Sequence, residues 1–126
     1  MANILVVDDN LTVCKLAQRV LEKAGHNVSV APSGREALGM IQDGLPVDVL
    51  LLDHSLPDMQ GDGLLAGLPL ENRRRIRVLL STGYDSRQLA RNYPEDIPLH
   101  SLQKPWDVAD LLQAVSALLS DRHDSG

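Results

Sequence analysis

The sequence predicts an α/β protein in which helices cover both faces of a parallel β-sheet. Three observations carry this. Val47 to Asp53 is a short run rich in Val and Leu, without polar alternation, that follows a Gly44-Leu45-Pro46 break and ends on a carboxylate. Such a run reads as a strand buried on both faces. Asn3 to Asp8 repeats the pattern and also ends on acid. Strand-like and helix-like segments then alternate five times along the chain, as in a fold built from right-handed crossovers.

The elements follow in order. After the first strand, Asp8-Asp9-Asn10 puts two adjacent carboxylates at a strand end, which repel unless cations or solvent neutralise them. Asp9 or Asn10 is also a candidate cap for the next helix. Residues 11–24 have a helical spacing, with Val13, Leu16, Ala17, Val20, Leu21 and Ala24 on one side and Lys15, Gln18, Arg19, Glu22 and Lys23 on the other. Gly25 is placed to stop that helix. Val28 to Ala31 is a short strand. Ser33 with Glu36 resembles a capping box for a helix from Arg35 to Asp43, with Ala37, Leu38 and Ile41 inward. The central strand follows.

Residues 55–63 are thick in turn residues, and Gly61, Gly63 and Gly67 give only a loose likeness to a phosphate-cradling loop. A short helix is expected from Leu64 to Leu70, broken near Pro69. The basic cluster Arg73-Arg74-Arg75-Ile76-Arg77 reads as a solvated entrance to a fourth strand, Ile76 to Ser81. A short helix is expected from Ser86 to Asn92, closed by Pro94. Pro98 to Gln103 is a less apolar fifth strand, suited to a sheet edge. Asp107 caps a last helix with Val108, Leu111, Leu112, Val115, Leu118 and Leu119 on its apolar face. The expected domain covers residues 1–120, with 121–126 a frayed tail or the start of a linker.

Bulk composition narrows the class. A chain of 126 residues fits one domain, and with 2% aromatic residues and no Phe its core must be Leu, Val, Ile and Ala. The net charge of −5 argues against direct nucleic-acid binding. Cys14 is the single cysteine, so no internal disulfide is expected. The start shows no basic signal segment, and no apolar run is long enough to cross a membrane. A soluble, cytoplasmic protein is expected.

Asp8 and Asp9, Asp53, Thr82 and Lys104 lie at four strand ends. If strands one, three, four and five are neighbours, all converge on one crevice, where open parallel sheets hold their ligands. Three clustered carboxylates call for a hard cation, and Mg²⁺, with Mn²⁺ as a substitute, suits a site that also takes phosphate oxygens. Lys104 adds a point charge and Thr82 a hydroxyl donor, with Gly83 leaving backbone room. The set can stabilise a phosphoryl group passing onto Asp53. Singly, each residue also has a plain reading as a cap, a turn starter or a solvated side chain.

The motifs Leu-Val-Val-Asp8-Asp9-Asn10, Leu-Leu-Leu-Asp53, Leu56-Pro57-Asp58-Met59 with Gly61, Ser81-Thr82-Gly83 and Gln103-Lys104-Pro105-Trp106 together resemble a receiver domain of the two-component response regulators, from Ile4 to about Leu119. The resemblance implies the flavodoxin-like strand order 2-1-3-4-5. It also implies that Asp53 is the phosphoacceptor and that Asp8 and Asp9, with the Ser55 carbonyl, hold Mg²⁺. Thr82 and Lys104 would bind the phosphoryl oxygens. The implied partner is a sensor histidine kinase or phosphotransfer protein, with an output domain or downstream protein beyond; a homodimer is compatible. Such a domain accepts and loses its own phosphoryl group and is not a turnover enzyme. The rival reading is a phosphorylation-independent interaction module on the same fold. The sequence departs from the family where many receivers carry an aromatic three residues before the lysine: Ser101 stands there, and His100 or Tyr84 is the candidate substitute. Two contexts fit, a stand-alone receiver and the N-terminal piece of a larger regulator.

Overall fold

A computed structural model describes residues 2–83, 93 and 96–120. Five strands, β1 (Asn3–Val7), β2 (Asn27–Ala31), β3 (Val49–Asp53), β4 (Arg77–Thr82) and β5 (Leu99–Gln103), form one parallel sheet in the order β2-β1-β3-β4-β5. Between and after them lie α1 (Leu11–Lys23), α2 (Gly34–Gln42), α3 (Gly61–Ala66), α4 (Leu70–Arg75) and α5 (Val108–Ser120). The expected helix at Ser86–Asn92, the residue Tyr84 and the tail 121–126 lie outside the described residues.

The unbroken apolar strands fill two cores at once, because successive side chains point to opposite faces. Leu5, Val7, Leu50, Leu52, Val78 and Leu80 pack against Ala37 and Ile41 of α2 and Leu64 and Leu65 of α3. Ile4, Val6, Val49, Leu51 and Leu79 pack against Cys14, Ala17 and Leu21 of α1 and Leu111, Val115 and Leu118 of α5. Every residue of β3 is buried, whereas β5 at the edge buries Leu102 and exposes Ser101 and Gln103.

Local signals set the helix ends. Asn10, not Asp9, caps α1: its Oδ1 accepts from the Thr12 and Val13 amides at 3.0 and 3.2 Å. Gly25, at φ +100°, closes α1, with the His26 amide donating to Leu21 O and the Gly25 amide to Glu22 O. Ser33 Oγ accepts from the Glu36 amide at 3.2 Å, and Asp107 with Asp110 forms a reciprocal box at the start of α5.

Several expectations change. The helix expected over 64–70 is two short helices: α3 starts earlier, at Gly61, and α4 starts after Pro69, whose carbonyl accepts from the Asn72 and Arg73 amides. Pro69 therefore opens a helix instead of ending one, and the basic cluster sits largely on α4, where Arg73 bonds Asp96 at 3.0 Å. Gly61 and Gly63 lie within α3, so the loose glycine-loop likeness does not hold. Leu16 and Ala24 face outward, because Cys14, Ala17 and Leu21 take the positions against the sheet; Leu16 borders an apolar groove of about 410 Å³ with Val13, Pro105 and Trp106.

Candidate functional site

The strand order reverses at β1: the chain moves one way to β2 and the other way to β3. A crevice opens at the carboxyl end of such a switch point, and here it is lined by the residues that end or follow β1, β3, β4 and β5. Asp8 follows β1 and is buried; its Oδ1 accepts from the Asn10 amide at 2.9 Å. Asp9 is exposed at the rim. Asp53 ends β3 with 7% of its surface exposed, and its Oδ1 accepts from the Ser55 amide at 3.1 Å. One carboxylate oxygen from each of Asp8, Asp9 and Asp53 lies within 4.8 Å of the other two.

Lys104 follows β5 and reaches across the crevice. Its Nζ donates to Asp8 Oδ2 at 3.1 Å and lies 3.4 Å from Asp53 Oδ2. Its amide donates to Thr82 O at 2.8 Å, so the ends of β4 and β5 are tied together, and the Lys104–Pro105 peptide is cis. Thr82 ends β4 and is buried. Beside it, Ser81 Oγ accepts from Trp106 Nε1 at 3.1 Å.

The charges act on one another. Burial pushes the Asp53 carboxyl above its ordinary range, the Ser55 amide bond opposes this, the Asp8 charge adds to it and Lys104 opposes it. Burial alone would pull the Lys104 ammonium down, but hydrogen bonding to Asp8 and the charges of Asp8 and Asp53 hold it above its usual value. Burial and the Asp8 charge push the Cys14 thiol up; its Sγ lies 3.1 Å from the Asp8 carbonyl oxygen. Cys14 is thus a core residue under the crevice.

This arrangement coincides with a family match: the response regulator receiver domain model covers residues 4–116. The chain belongs to the response regulator receiver domains. It is 33% identical to the transcriptional regulatory protein ZraR of Escherichia coli over 96% of this chain and 27% of the relative. It is also 33% identical to the sensor kinase CckA of Brucella abortus, over 94% of this chain and 12% of the relative. The chain thus spans about a quarter or less of these two relatives. Among solved structures, the chemotaxis protein CheY4 of Vibrio cholerae superposes with a TM-score of 0.84 at 26% identity, covering 94% of this chain and 98% of that one. The expected sheet order is borne out. Receiver domains bind Mg²⁺ at an acidic pocket and work with histidine kinases and output domains in two-component signalling.

Of the six residues singled out from the sequence, Asp8, Asp9, Asp53 and Lys104 are brought together in this receiver's crevice, while Thr82 ends the neighbouring β4 and Ser55 bonds Asp53 through its amide. Ser55 is exposed and pairs with Gln60 across the loop after β3. Three supporting contacts have no local sequence signal. Trp106 braces Ser81. Asp58 accepts from the Gly34 and Arg35 amides at 3.0 and 2.8 Å, anchoring the loop to the start of α2. His54, directly after Asp53, is buried against Tyr93. Ser101 lies exposed on β5, beside the half-buried His100.

Proposed function

We propose that this receiver takes a phosphoryl group onto Asp53 and switches its interactions with the result. The observation that carries this reading is the contact set of Asp53: a buried strand-end carboxylate that shares a lysine with Asp8 and stands within ligand distance of Asp8 and Asp9. A structural aspartate gains nothing from two more carboxylates so close; an acceptor that works with a cation does.

Asp8, Asp9 and Asp53, with the Ser55 carbonyl, are the residues that would hold Mg²⁺. The carboxylates alone supply the hard oxygen donors the ion prefers, and they leave positions for water and phosphate oxygens. When bound, Mg²⁺ supplies positive charge against the phosphoryl oxygens. The Ser55 amide fixes the plane of the Asp53 carboxylate. A carboxylate oxygen of Asp53 attacks phosphorus in line. The bond from phosphorus to the donor breaks, and its electron pair leaves on the donor's imidazole nitrogen, in a histidine kinase or phosphotransfer protein, or on an acyl oxygen. Lys104 then exchanges its contact with Asp53 for one with a phosphoryl oxygen, and the Thr82 hydroxyl donates to another. Water attack on phosphorus returns the free carboxylate. The receiver is thus an acceptor that resets itself, with its domain over residues 1–120.

Intact mass after incubation with acetyl phosphate and Mg²⁺ tests this reading. A single phosphoryl adduct is expected, absent from Asp53→Asn and from a metal-free sample. If the wild type forms no adduct, binds no Mg²⁺ and does not hydrolyse the donor, the chain is an interaction module on a receiver fold.

A further inference from the structure

We propose that Tyr93, acting through His54, is a positioning residue that couples the state of Asp53 to the strand β5. His54 is the residue between the acceptor Asp53 and Ser55, and it is gripped from three directions. Its amide donates to Ser81 O at 3.2 Å, on the strand that ends in Thr82. Its carbonyl accepts from the Gly61 amide at 3.1 Å, at the start of α3. Its Nδ1 shares a buried hydrogen bond of 2.8 Å with the Tyr93 hydroxyl, and the two rings lie 5.9 Å apart at 50°. His54 and Tyr93 are 7% and 5% exposed, so neither has water as a ready substitute partner.

The Tyr93 hydroxyl also abuts Gly61. A Cβ at Gly61 would collide with the Tyr93 hydroxyl, so the glycine is what lets the hydroxyl reach His54. Tyr93 and Ile97 belong to the same core cluster as Leu52 and Leu80, and the carbonyl of Pro98 accepts from the Val78 amide at 2.8 Å as β5 begins. A shift of the Asp53–Ser55 peptide or of the end of β4 therefore moves His54, and among the described residues the His54 side chain bonds Tyr93, which shares a core cluster with Ile97 just before β5. Packed cores pass such shifts on between discrete arrangements and do not absorb them gradually. With Ser101 in place, β5 carries no Phe, Tyr or Trp, and Tyr93 supplies a buried phenol just upstream.

This inference rests on the reading of Asp53 as acceptor, and the test separates the two. Hydrogen–deuterium exchange of the full chain is followed with and without acetyl phosphate and Mg²⁺, alongside intact mass. The variants are Tyr93→Phe, which removes only the hydroxyl, His54→Leu, which removes its partner, and His54→Gln, which keeps a hydrogen-bonding group. Wild type is expected to show a several-fold change in exchange over 96–103 when phosphorylated. Tyr93→Phe should take up the phosphoryl group yet lose that change, His54→Leu should lose it without adding to the loss in the double variant, and His54→Gln should recover part of it. If Tyr93→Phe takes up the group and responds as wild type does, or if wild type takes it up with no change over 96–103, the coupling is wrong and the acceptor reading stands. If wild type takes up nothing, both fall. Should Tyr93→Phe lose its cooperative melt, the same readings are made on His54→Leu.

Discussion

Asp53 is held in a place that disfavours its charge. It is buried, Asp8 stands beside it, and the Ser55 amide and Lys104 compensate only in part, so its carboxyl is pushed above the ordinary range. The folded protein therefore holds the Asp53 proton more tightly than the unfolded chain does. Between the ordinary carboxylate value, about 3.9, and the raised folded value, stability falls as pH rises, and above that window the full penalty applies. Asp53→Asn keeps the acceptor oxygen for Ser55 and leaves Lys104 paired with Asp8. In metal-free buffer at pH 7.5 the variant should be more stable by roughly 1 kcal/mol, a rise of about 3–5 °C in Tm. The gain should vanish below the ordinary carboxylate range. Thermal melts at pH 7.5 and pH 3.5 check this; an unchanged Tm at pH 7.5 would mean that Lys104 fully compensates the charge. The positions of Asp8, Asp53, Thr82 and Lys104 were legible because each ends or follows an apolar run. Their supports were not, since His54 meets Tyr93 from 39 residues away and Lys104 meets Asp8 from 96.

Helix starts supply the next level of support. Asn10 and the Asp107–Asp110 pair act within their own segments, so the sequence displays them. The start of α2 has Ser33 as its local cap, but Asp58 from the loop after β3 adds two amide contacts there. Hydrogen bonds from the Arg35 and Gly34 amides hold the Asp58 carboxyl below its usual range. A depressed carboxylate contributes stability that is present above its unfolded value and lost as pH falls through the folded one. Asp58→Asn should therefore lower Tm at pH 7, and the difference from wild type should close as pH drops below the ordinary carboxylate range. Melts of both proteins from pH 7 down to pH 2.5 measure this, and equal Tm values at pH 7 would show that Ser33 suffices. The division between α3 and α4 was illegible for a local reason. Gly61, Gly63 and Gly67 have low helix propensity, so the pattern showed its first helical residue only at Leu64. Proline disfavours helix interiors, so Pro69 reads as an end or kink, but it is equally suited to open a helix. The acidic Glu71 in the first turn of α4 and Arg73, Arg74 and Arg75 in its last both oppose the helix dipole.

At the scale of the whole molecule, the parallel class and the covered faces follow from continuous apolar strands, because alternation would have left one face wet. Strand order does not follow from such patterns; the motif likeness implied 2-1-3-4-5, and the pairing of β1 with both β2 and β3 realises it. That order puts three carboxylates from two adjacent strand ends into one crevice, and a cation held there only by the folded state would stabilise the whole domain by mass action. Saturating Mg²⁺ at about 100 times its Kd should add about 2.7 kcal/mol, seen as a Tm rise of several degrees. Asp9 is exposed, so Asp9→Ala should fold as wild type does and lose most of that rise. The raised Asp53 carboxyl adds a pH signature. Its proton must leave before the oxygen can serve as a ligand, so the Mg²⁺-dependent rise should shrink as pH falls through the raised Asp53 value, ahead of what an ordinary aspartate would give. Tm measured against Mg²⁺ concentration at pH 7.5 and pH 5 tests both parts. A rise of equal size in Asp9→Ala would place the cation elsewhere on the protein and remove the charge balance on which the proposed acceptor role of Asp53 depends.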